Sequence, residues 1–143
     1  MEETPIASPV VREIWGLEAQ FVALGWRAPK AADKDTEGMN LLSSILYNGQ
    51  AGLVDLNLNQ QQKVLGASAF MYGLADQGMF LMEGSPKAGQ TLDEVKDLML
   101  GQVEKLRKGE FDESLLKASV NNYKLRMEKA MEENSSRADF YVN

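Results

Sequence analysis

The 143-residue chain contains no cysteine and no histidine. These two absences exclude a thiolate nucleophile, a Ser-His-Asp triad, a zinc finger and an imidazole-ligated catalytic zinc built from this chain alone. Only oxygen ligands remain for a metal, and a Mg or Ca site needs several converging carboxylates. No apolar run approaches the roughly 18–20 residues that cross a bilayer, and nothing has the order of a signal peptide. Positive charge is in short supply too. With 21 acidic and 15 basic residues the net charge is −6, the wrong sign for a phosphate-backbone partner, so no nucleic acid is expected. What is present is 44% hydrophobic and 25% charged residues, the balance of a globular domain rather than a disordered chain. A single domain of this length buries roughly 68–70% of its unfolded surface.

Residues 1–15 read as a leader or linker. Pro5 and Pro9 bias their predecessors away from helix, and Val10, Val11, Ile14 and Trp15 suit a short strand or an apolar flap. Residues 16–143 read as one domain. The near-continuous apolar run Gln20–Arg27 predicts a strand covered on both faces, or nearly so. Asp35 or Thr36 then caps a helix carrying Met39, Leu42, Ile45 and Leu46, with Gly49 placed as its C′ residue. A short helical stretch with Leu53, Val54, Leu56 and Leu58 follows.

Val64–Gly73 and Met79–Gly84 flank the turn residues Leu74–Gly78 and predict an antiparallel hairpin, whose small residues Gly66 to Ala69 leave room for a packed layer. Thr91-x-x-Glu94 is a capping box for a helix ended by Gly109. Asp112 caps a final helix, which Asn134-Ser135-Ser136 interrupts and which carries no stop signal before Asn143. The chain is therefore expected to be cut from a longer one. The order strand, helix, short helix, strand, strand, helix, long helix predicts an α+β fold with helices packed on one face of an antiparallel sheet.

Few residues invite chemistry. Asp93 and Asp97 are neighbours at i,i+4 and could chelate or share a proton, but acid at a helix start complements the dipole and suits a solvated face. Glu110, Asp112 and Glu113 read the same way at the next helix start. Glu83 sits in a strand among Phe80, Leu81 and Met82, where alternation points it to solvent and a chamber-facing role is the sharper option. Asn48–Gly52 could cradle an anion with backbone N–H groups, yet it lacks the lysine of a phosphate loop, and helix termination explains its glycines. The methionines at 71, 79, 82, 99, 127 and 131 follow helical and strand periodicity, as core packing requires. Trp26 reads as a packed residue; Trp15 could anchor a partner. The last helix mixes Lys117, Lys124, Arg126 and Lys129 with Glu128, Glu132 and Glu133, a solvated face of both signs.

Taken in order, the segments resemble one half-domain of the pitrilysin/insulinase family of zinc metallopeptidases, the inverzincins. Gln20–Pro29 looks like the family strand entering G-x-x-x-P, and Met39–Gly49 like the helix ending in iLg-g. Gly49–Leu53 stands where members often have Gly-Ser-Arg-Leu. The Gly78–Met82 strand and the capped helix Thr91–Leu106 follow in place, and Gly109–Ala118 looks like the entry to the last family helix. The resemblance covers about residues 16 to 134. Each piece is degenerate; order and spacing together carry it.

The resemblance implies a C-terminal subdomain of one half, lying after the subdomain that bears H-x-x-E-H and the downstream glutamate. No catalytic, cofactor-binding or metal residue carries over to this chain; zinc is expected in the parent protein if that is an active peptidase. Family halves close as a clamshell around a peptide. The implied partners are the other subdomains of the parent peptidase and, in the full protein, a peptide substrate. Asn59 and Ala67 fall near positions where members carry the arginine of L-R-E and the tyrosine of G-L-a-Y, so direct help with substrate is not expected. The leading expectation is a non-catalytic chamber-wall subdomain of a zinc endopeptidase. One alternative is an interaction or structural module from a catalytically inactive family-like subunit; another is an unrelated small α+β enzyme using Asp, Glu, Lys or Tyr.

Overall fold

The computed structural model describes residues 6–135 and 137–138. Its elements are β1 (Val22–Ala28), α1 (Thr36–Leu46), a π-helical turn (Asp55–Asn59), β2 (Gly66–Gly73), β3 (Gly78–Ser85), α2 (Leu92–Lys108) and α3 (Glu113–Glu132). This is the expected order. The three strands form an antiparallel sheet in the order β1-β3-β2, so the hairpin partner β3 is central and β1 joins it from far away in sequence. Leu74 N donates to Gln77 O at 3.1 Å and closes the hairpin turn.

Strand alternation sends one set of side chains toward the helices. Leu24, Trp26, Ala67, Ala69, Phe80 and Met82 pack there against Leu46, Val54, Leu58, Val95 and Met99. Met82, Met99, Val54, Leu58 and Val95 have no accessible surface, and burying such side chains contributes roughly 1.5–3 kcal/mol each. Trp26 tilts against Phe80 with ring centroids 5.7 Å apart. The small residues of β2 and β3 set the interlayer spacing. A Cβ on Gly84 would stand 2.7 Å from Val95 Cγ1 and 2.8 Å from Met99 Sδ, so α2 lies almost on the β3 backbone.

The helix ends follow local chemistry. Thr91 Oγ1 accepts from Glu94 N at 3.2 Å, and the Glu94 carboxylate accepts from Thr91 N at 2.8 Å, which completes the capping box. Gly109 ends α2 in the left-handed region at φ 70°, where a Cβ would be strained. Asp112 Oδ1 accepts from Ser114 N at 2.7 Å and starts α3. α3 breaks at Glu133, one residue before the expected interruption; Met1–Pro5, Ser136 and residues 139–143 lie outside the described residues.

Three expectations need correction. β1 is covered on one face only: its residues alternate between half-buried and exposed. Its apolar run misleads because Ala23 and Gly25 are too small to cost much in water. Val10 to Trp15 form no strand, and Ile14 and Trp15 stand exposed. α1 ends at Leu46 with Tyr47 extended, so Gly49 (φ 79°) serves the following loop and is not the C′ residue. At its start, Asp35 makes no side-chain cap bond; Thr36 Oγ1 instead donates to Lys30 O at 2.7 Å.

Candidate functional site

The sheet face turned away from the helices is the surface best placed to meet another molecule. Register fixes its rows: Ala23, Glu83 and Ser68 stand side by side, then Gly25, Leu81 and Phe70, then Arg27, Met79 and Tyr72. Phe70 and Tyr72 meet edge to face at 5.2 Å. Met79 and Tyr72 are exposed, Leu81 and Phe70 half-buried, so the surface is largely apolar although α1, α2 and the π-helical turn all pack on the other side. Glu83 and Arg27 are the only charged residues in the three strands, and both belong to this face. Beside Glu83 the surface sinks into a cavity of about 410 Å³ between Phe21, Gly66, Ser68 and Ser85.

The other candidates resolve into structural roles. Lys96 Nζ lies 2.5 Å from Asp93 Oδ1 and 4.0 Å from Asp97 Oδ1, so a lysine already occupies the space between the two carboxylates. The bond it donates to Asp93 holds the Lys96 ammonium above its ordinary pKa. Asp112 caps α3, and its bonds from Ser114 hold its carboxyl below the usual range. Glu113 pairs with Lys117 at 3.1 Å. Of the methionines, 82 and 99 are fully buried, 71, 127 and 131 half-buried, and 79 exposed on the open face.

The Asn48–Gly52 loop is no anion cradle, because side chains of this chain already fill it. Asn48 Oδ1 accepts from Gln50 N at 3.1 Å and Ala51 N at 2.9 Å. The buried Asp55 carboxylate accepts from Asn48 N and Gly52 N, both at 3.0 Å. Sequence reasoning missed Asp55; the spacing of Gly52 and Asp55, with a helix starting between them, was the available signal. It also missed the link between Asn59 and Ala67. Asn59 Nδ2 donates to Ala67 O and Asn59 Oδ1 accepts from Ala67 N, both at 2.8 Å. The two positions where active relatives were expected to carry arginine and tyrosine thus bond each other and tie the π-helical turn to the rim of β2.

The described residues gather no metal-ligand cluster. Among the described residues no three acidic side chains converge on one point, and the sequence supplies neither imidazole nor thiolate. Among them, too, no helix is long and apolar enough to cross a membrane.

Comparisons with known proteins agree with this frame. The zinc protease PqqE of Helicobacter pylori is 25% identical over 130 residues, covering 90% of this chain and 29% of that protein. The chain thus spans less than a third of that relative's length. A crystal structure of a protease from Helicobacter pylori superposes with TM-score 0.76 at 24% identity, over 85% of this chain and 30% of that one. An inactive peptidase domain from Bordetella parapertussis superposes with TM-score 0.71 at 18% identity, over 82% of this chain and 64% of its own. Both share the α+β layer fold. The sequence model of the peptidase M16 inactive domain matches residues 2–123, a span that takes in the leader. The resemblance to pitrilysin/insulinase peptidases is thereby borne out, and the chain belongs to the M16 peptidases as one of their inactive domains.

Proposed function

We propose that this chain is the non-catalytic subdomain of a zinc metallopeptidase and that its open sheet face forms part of the wall of a peptide-enclosing chamber. One observation carries the reading: the helices pack on a single side of the sheet, while the opposite side keeps an apolar surface over three strands. A wall needs such a surface, flat enough for an extended peptide and rigid because its reverse is packed. The name of the Helicobacter relative supports a zinc-holding parent. In that parent the metal and the general base lie on other subdomains, since this chain carries neither histidine nor cysteine.

Residues 1–15 then act as the linker by which the subdomain is joined to its neighbours, with Trp15 available to pack against one of them. The test is photocrosslinking in the full-length parent. A benzophenone side chain at Leu81 or Phe70 is expected to capture a bound peptide substrate, and one at Leu100 on the exposed side of α2 is not. Equal capture from both sides would overturn the chamber-wall reading.

A further inference from the structure

Glu83 is the one charged residue of its strand. Glutamate is depleted in strands, and an opposite charge directly across the strands stabilises a charged residue there. Glu83 is flanked by Ala23 on one side and Ser68 on the other, and no cation among the described residues forms a salt bridge with it. Arg27, on the same face, lies two rows away along the sheet. A solvent-facing carboxylate suits the alternation of the strand, and without a cross-strand cation it is left available to a ligand.

Its surroundings form an open hollow in the sheet face. Glu83, Ser68 and Ser85 together line the 410 Å³ hollow. The Phe21 ring, 55% exposed, flanks the opening from the start of β1. Gly66 lines the floor, and a Cβ there would meet nothing within 4 Å, so the space is open. A carboxylate, two hydroxyl acceptors and an aromatic face together suit one class of group, a cation on an apolar stem. The net charge of −6 draws the same sign of ligand.

We propose that the Glu83 cavity is a subsite for the guanidinium or ammonium of an arginine or lysine side chain in an extended peptide. The proposal rests on the peptide-facing role given to the open sheet face. It places charge selection at one end of that face and leaves Leu81, Phe70, Met79 and Tyr72 to accept neighbouring apolar side chains.

The experiment is amide NMR of the chain titrated with N-acetylated, C-amidated pentapeptides of alanine with a central arginine, lysine or glutamine. The arginine and lysine peptides are expected to shift the amides of Gly66, Ser68, Glu83 and Ser85. They should bind at least tenfold more tightly than the glutamine peptide and weaken on adding salt. Glu83→Gln should remove that preference, and Glu83→Asp should keep part of it. Glu83 is exposed, so an unchanged spectrum outside the site shows that each variant folds. Equal binding of the glutamine peptide along the face overturns the cation subsite and leaves the chamber-wall reading standing. No shift on this face with any peptide overturns both. If only a glutamine peptide with a free α-amino group binds, the pocket takes a chain terminus and the side-chain assignment falls.

Discussion

Asp55 is 4% exposed and spends its carboxylate on two backbone N–H groups that no helix or strand would otherwise satisfy. Removing it leaves the Gly52 N–H buried without a partner. Asp55→Ala should therefore cost about 1–3 kcal/mol in a denaturant titration, from the desolvation of that donor. Gly52 makes the same point sterically, since a Cβ there would meet Leu46 O at 2.6 Å. Tyr123 offers a pH-dependent counterpart. Its hydroxyl donates to the Glu37 carboxylate and joins α3 to α1. That bond, with partial burial, raises the phenol pKa above its ordinary value. A folded-state pKa above the unfolded one means the contribution is whole below about pH 10 and is lost as pH rises through the folded value. Glu37→Gln should return the tyrosinate absorbance transition of Tyr123 toward the ordinary range, measured as a difference titration against the parent chain.

Among the elements, α2 has the most complete set of local signals. Thr91→Ala removes an acceptor for Glu94 N and should lower stability by about 1 kcal/mol in thermal unfolding. That helix was legible because its cap, its apolar stripe and its Gly109 stop all lie within one stretch of chain. The hairpin and the start of α3 were legible for the same reason. β1 was legible as a strand but its one-sided burial was not, because which of its faces is covered depends on elements far along the sequence and Ala23 and Gly25 give no polar signal. The end of α1 and the π form of the short helical stretch were also hidden. Asp55 and Asn59 set them through bonds to residues outside their own helical period, and no periodicity reports such bonds. The candidate site was half legible. Glu83 stood out as a charge in an apolar strand, but the cavity beside it depends on Phe21 and Gly66, which only the sheet register brings near.

At the scale of the whole molecule, the described leader residues contribute nothing to the core: Trp15 is 90% exposed and Ile14 92%. Deleting residues 1–15 should change unfolding free energy by less than about 0.5 kcal/mol. It should also shift tryptophan emission to the blue, because the half-buried Trp26 then emits alone. The sheet order has a further consequence. β2 and β3 meet through a short turn, whereas β1 waits for a partner that lies two helical segments downstream. During synthesis β1 leaves the ribosome with the edge that β3 will pair still bare. It stays so until residues 78–85 have followed, and a nascent chain stalled in that interval would present Phe21 to Trp26 as a target for chaperones.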